Sequence, residues 1–149
     1  MPRTAIFNFM FGFGLLFLGM CAGFFVVNDA EQAFMQSRQE QWLLSWTYTL
    51  LKSAHGHLSS FALMHILFGL TLPYSRLSQK IFIGQTLGLC LGSFAMGALL
   101  PLRALLTQSP SGMDWLGLGL GLCLSLCTLS VATHIYGLGL KFFERNLVM

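Results

Sequence analysis

Residues 115–140 read WLGLGLGLCLSLCTLSVATHIYGLGL, a stretch without a single Lys, Arg, Asp or Glu. A helix needs about 20 residues to cross a hydrocarbon core of roughly 30 Å, and this run exceeds that. Working back toward the N-terminus, residues 81–101, 58–74 and 5–27 form three more blocks of the same character. None alternates polar and apolar residues with period two, so helices rather than barrel strands would satisfy their backbones in lipid. The bulk composition agrees: 9% of residues are charged, against about 25% in a soluble domain. The sequence therefore predicts an all-α integral membrane four-helix bundle, one domain over residues 1–149. Its helices are expected at about 5–27, 47–74, 81–101 and 115–140.

The second block is short, but Trp42, Trp46 and Tyr48 precede it as an aromatic belt would. Its helix is therefore expected to begin near residue 47. The first block follows Arg3 as a signal peptide would, yet its apolar run exceeds the usual h-region of about 7–15 residues and no A-x-A-like site follows. It is read as a retained helix. Residues 28–41 form the longest polar stretch, with a composition suited to a short surface helix.

Arg3, Arg76, Lys80, Lys141 and Arg145 fall on one side of this topology, and Arg38, Lys52 and Arg103 on the other. The excess of basic residues predicts cytoplasmic termini for a multi-pass protein of the bacterial inner membrane. The net charge of +3 is a topology signal, with no basic cluster of the kind that binds nucleic acid. All four cysteines lie inside apolar blocks, which is not a secreted disulfide framework. Cys123 and Cys127 share a helix face, as a packing pair or a soft-metal pair. Gly84, Gly88 and Gly92 recur every four residues on the third block, and small residues so spaced let helix backbones approach closely. That predicts a tight bundle in the lipid bilayer, with a surface for a homo-oligomer or a larger membrane complex.

Chemistry is suggested by one segment. Ala54-His55-Gly56-His57 and, further on, Met64-His65 place three of the four histidines within eleven residues. Ionisable groups inside a membrane are costly and functional by default, and imidazole ligates haem iron and many other metals. His55, His57 and His65 are therefore the candidate cofactor and metal ligands. On a regular helix His57 lies about 200° from His55 and His65 about 280°, with His65 about 12 Å deeper than His57. One metal cannot take both of those from a straight helix. A break at Gly56 would bring His57 closer to His55, since glycine tolerates unusual conformations. His134 is much further in than His55, which makes His65 its better partner. The alternatives are solvated interfacial imidazoles for His55 and His57, and for His65 an imidazole bonded to Ser, Thr or a carbonyl.

Ala54-His55-Gly56 followed by a long apolar helix with Met64 resembles the start of the second helix of subunit I in haem-copper oxidases. The segment is also similar to small bacterial four-helix membrane proteins with a His-x-His at this point. The oxidase resemblance implies that His55, near the outer end of its helix, is an axial ligand of a low-spin haem b. It covers about 15 of the 149 residues. The family's second haem ligand and copper-binding histidines have no counterpart here, so oxygen reduction is not implied. Eight methionines leave copper(I), which favours thioether ligands, as a minor alternative. The blocks hold no carboxylate and no nucleophile triad. The expectation is a haem-binding redox or accessory subunit rather than a classical enzyme. A structural or assembly subunit without metal is the rival, and an oligomeric transporter a third class.

Overall fold

A computed structural model describes residues 1–35, 45–107 and 114–146. The described residues form helices α1 (Arg3–Met35), α2 (Trp46–Thr71), α3 (Gln79–Phe94), α4 (Leu100–Leu106) and α5 (Trp115–Asn146). A 3-10 turn, Leu72–Tyr74, ends α2, and a π-helical turn, Ala95–Leu99, joins α3 to α4. Four segments are long and apolar enough to cross a membrane: Arg3–Asp29, Trp46–Tyr74, Gln79–Leu106 and Trp115–Phe143. The protein is a four-span, all-α bundle with large apolar side chains over much of its outer surface.

Two boundaries differ from expectation. Residues 28–35 continue α1 instead of opening a separate surface helix, and residues 36–44 lie outside the described part. Pro101 does not end the third span. It occupies the first turn of α4, where its missing N–H and fixed φ are tolerated. A π-helical turn lies just before it.

The bundle is built from two antiparallel pairs, each closed over glycine. In the α1–α2 pair, a Cβ on Gly12 would meet the Ala62 carbonyl oxygen at 2.8 Å, and one on Gly69 would meet the Ala5 carbonyl oxygen at 2.9 Å. In the α3–α5 pair, Gly88 faces Ser130 and the Leu126 carbonyl, and Gly92 faces Cys127 and Phe61. With little hydrophobic effect between helices in lipid, such close approach supplies the dispersion energy that holds them together. The two pairs meet in an apolar core that includes Leu50, Phe61, Phe68, Leu89, Met96 and Cys127.

At one end, Trp46 Nε1 donates to Thr107 Oγ1 at 3.0 Å and Thr47 Oγ1 donates to the Ala104 carbonyl at 3.2 Å. Arg103 bonds Asp114 at 2.9 Å and lies over the Trp46 ring. Asp114 also caps α5, where its Oδ1 accepts from Gly117 N–H. That backbone bond first, and then Arg103, hold the carboxyl below the usual carboxylate range. A depressed folded-state pKa adds stability above the unfolded value of about 3.9 and loses it as pH falls through the lower folded value. Wild type should thus lose melting temperature on acidification below about pH 4, while Asp114→Asn starts lower and falls less. Parallel acid profiles for the two proteins would show that this cap does not contribute.

Candidate functional site

Polar side chains from all four spans meet inside the apolar bundle. His65 on α2 is fully buried. Its Nδ1 lies 2.8 Å from Asn8 Oδ1 on α1. Both Asn8 amide hydrogens are committed, to the Thr4 carbonyl at 2.8 Å and to Thr86 Oγ1 on α3 at 2.8 Å. Asn8 therefore presents its oxygen, and His65 donates from Nδ1. On the other edge, Nε2 lies 3.0 Å from Ser93 Oγ, which is also 3.1 Å from the Leu89 carbonyl. The single hydroxyl proton of Ser93 has two acceptors. Phe11 meets the imidazole edge to face.

His134 on α5 has the same surroundings built from different residues. Its Nδ1 faces an amide oxygen, Gln85 Oε1, at 3.4 Å. Its Nε2 faces a hydroxyl, Thr71 Oγ1, at 2.8 Å, which also donates to the Leu67 carbonyl one turn back. Phe68 stacks on the ring at 4.2 Å. Each buried histidine thus sits between an amide and a hydroxyl already tied to its own helix. A buried polar group without a partner costs about 1–3 kcal/mol, so these brackets are what make imidazole tolerable here. The expected pairing of His65 with His134 is absent: no bond joins them, and His134 bonds α2 and α3 through Thr71 and Gln85.

His55 differs. It is partly buried against α1, and Nδ1 lies 2.9 Å from the Gly19 carbonyl oxygen, which fixes the proton on that nitrogen. Nε2 has no protein hydrogen bond among the described residues. The ring fits because Gly23 has no side chain: a Cβ there would come within 2.6 Å of His55 Cε1. Metal-ligating histidines almost always donate their other N–H to a carbonyl or carboxylate, which sets tautomer and orientation. His55 has that arrangement.

His57 is exposed and faces away from α1, beside Lys52, Ser53 and Ser60. The helix runs unbroken through Gly56, so the break considered from sequence does not occur, and His57 stays on the other face from His55. The three histidines thus occupy three separate environments. No group of three or more His, Cys, Asp or Glu that could hold a metal forms among the described residues.

Ser93 is the hydroxyl partner that one sequence reading of His65 allows, whereas the amides Asn8 and Gln85 are not part of that reading. A signal was present: Asn8 and Gln85 are the amides inside the first and third apolar blocks, and polar side chains within spans are helix-to-helix ties. Comparison with protein-family models, with curated proteins and with solved structures gives no match.

Proposed function

We propose that this four-span membrane protein binds haem b through His55 and serves electron transfer as a subunit of a respiratory or redox membrane assembly. The observation behind this reading is the His55 geometry, in which a backbone carbonyl holds Nδ1–H and leaves the Nε2 lone pair without a protein partner. The Ala54-His55-Gly56 resemblance points to the same residue. His65 and His134 each have both ring nitrogens engaged, which makes them poorer ligands. The donor set fits one axial position. His57 faces away, so a second ligand would have to be supplied by a different helix or by another subunit. When bound, haem b supplies a one-electron carrier. The residues of this chain would hold one imidazole nitrogen in its tautomer through the Gly19 carbonyl, and Gly23 makes room for the ring.

The alternative is a structural or assembly subunit without metal. It is favoured by the two histidine brackets, which act as ties between spans and need no cofactor. An absorption spectrum of the detergent-purified protein separates the readings. A Soret band supports the first, and its absence from pure, folded protein gives the second. Metal analysis of the same sample tests copper.

Both termini are proposed to be cytoplasmic in a bacterial inner membrane. Packing brings Arg3, Arg76, Lys80 and Lys141 to one end of the bundle: Gly69 lies against Ala5, Arg76 N–H donates to the Gly137 carbonyl, and Lys141 lies over Tyr74. Lys52 and Arg103 lie at the opposite end. A reporter fused after Met149 should be active only as a cytoplasmic reporter. Periplasmic alkaline-phosphatase activity there would reverse the orientation.

A further inference from the structure

One face of α2 is polar and points away from the bundle. An open groove of about 510 Å³ runs along it, and Lys52, Ser53, Gly56, His57 and Ser60 are among its lining. These residues belong to a membrane span. His57 lies about 16 Å along the helix from Trp46 at 1.5 Å per residue, past a headgroup layer about 5–8 Å thick. Ionisable side chains at such depth normally face protein or a water-filled cavity. His57 instead is exposed and makes no hydrogen bond among the described residues. Lys52 is exposed as well and has no ion-pair partner among them. Its ammonium leans back toward the start of α2, 6.0 Å from the centre of the Tyr48 ring, in the direction helical side chains tilt. Further along the same face stand Leu63, Leu67 and Leu70, which are exposed and suit lipid. The polar half is what lipid cannot match.

The chain carries a complementary face at the same depth. Across the α1–α2 contact, Gly12 faces Ile66, Gly19 faces Ser59 and Gly23 faces His55. Followed along both helices, that register sets Cys21 level with His57, Phe24 level with Ala54, and Asp29 and Glu31 on either side of the level of Tyr48. Phe17, Cys21, Phe24 and Glu31 share the outward stripe of α1, and all four are exposed, as is Asp29. Neither carboxylate has an ion pair among the described residues; at this end the pair is Arg103 with Asp114. The two faces cannot meet within one copy, because His57 points away from α1. Between copies the bilayer holds depth constant. The carboxylates of one copy then stand at the height of the Lys52 ammonium of the next, and Phe24 stands at the notch over Gly56, where a Cβ would meet nothing within 4 Å.

We infer that a second copy of this chain docks on the outward face of α2 and lays its α1 along the groove. Its Asp29 and Glu31 offset Lys52, its Phe24 fills the notch at Gly56, and its Cys21 borders His57. The contact is heterologous, α1 of one copy on α2 of the next, so it repeats from copy to copy. It does not rest on the haem reading, since His55 lies on the other face of α2.

The test is oxidative cross-linking of full-length His57→Cys in liposomes of phosphatidylethanolamine and phosphatidylglycerol, with copper phenanthroline as oxidant. A disulfide requires Cα atoms within about 7 Å, so a bond to Cys21 of another copy reports depth and face together. Covalent dimers and higher multiples are expected on a non-reducing gel, and they should vanish when Cys21→Ala is added. Leu67→Cys, on the same face but about 15 Å deeper, should stay monomeric. Lys52→Glu in the His57→Cys background should cut the yield severalfold, and adding Asp29→Lys with Glu31→Lys should restore it. All these side chains are exposed, so the substitutions leave the packed core alone. No multiples from His57→Cys, an equal yield from Leu67→Cys, multiples that survive Cys21→Ala, or a yield indifferent to Lys52→Glu would each overturn the assignment.

Discussion

His55→Ala is expected to abolish the haem spectrum of the purified protein, while His134→Ala leaves it intact. Alanine removes the imidazole that the Gly19 carbonyl orients from α1, and no other described histidine lies on that face of α2 near enough to replace it. His57 cannot, because the helix is continuous through Gly56 and keeps that ring on the other face. His134 instead holds Thr71 and Gln85, so its loss affects the α2–α3–α5 contacts and leaves the α1–α2 edge alone. The two variants separate ligation from folding: His134→Ala should melt earlier with full haem, and His55→Ala should melt near wild type with none. A full spectrum in His55→Ala ends the redox proposal. Gly23→Ala with His55 retained tests positioning, since the new methyl would press on the His55 imidazole edge and should shift the spectrum before it lowers stability.

Gly69→Leu is expected to separate α1 from the rest of the bundle. A Cβ at this position would lie 2.9 Å from the Ala5 carbonyl oxygen and 2.9 Å from Phe9 N and Cβ. Those atoms belong to the α1 backbone or are fixed to it, so relief requires the whole helix to move. Overpacking of side chains alone typically costs about 1–3 kcal/mol, and displacing backbone should reach the top of that range or exceed it. The displacement also pulls Asn8 away from His65, leaving a buried imidazole without its acceptor and adding about 1–3 kcal/mol more. Gly14→Leu is the control, because a Cβ there meets nothing within 4 Å. Denaturation in mixed micelles should show a large loss for Gly69→Leu and little change for Gly14→Leu. Equal, small effects would mean that α1 is held by something other than this close approach.

The span count was legible because hydrocarbon imposes one strong condition, long uncharged runs, and this sequence meets it four times. Helix ends were less so. Pro101 reads as a stop by its chemistry, but it falls in the first turn of α4, where proline is tolerated, and the helix runs on to Leu106. The glycine row on the third span was readable as a close contact, and Gly88 and Gly92 do meet α5. That Gly84 faces open space was not readable, because spacing alone cannot say where a neighbouring helix ends. For the histidines, periodicity placed His55 and His57 on opposite sides correctly. The partners of His65 and His134 come from residues 57 and 49 positions away, and such separations follow from how spans pack rather than from any local pattern.

The π-helical turn at Ala95–Leu99 divides the third span into two rods with different allegiances. Before it, α3 leans on α5 through Gly88 and Gly92. After it, α4 turns to α2, where Ala104 and Thr107 receive Thr47 and Trp46. A π turn holds one residue more than the α-helical turn it replaces, so everything beyond it is rotated by about one residue, 100°. In a regular helix of the same sequence, Leu102 would stand where Arg103 now meets Asp114. Residue number and spatial position therefore run out of step by one across this turn. Length here is as much a part of the code as side-chain identity: deleting one of the five residues would let the turn close as ordinary α-helix and keep the Trp46–Arg103–Asp114 cap in place, whereas regularising the turn at full length would shift that cap out of frame.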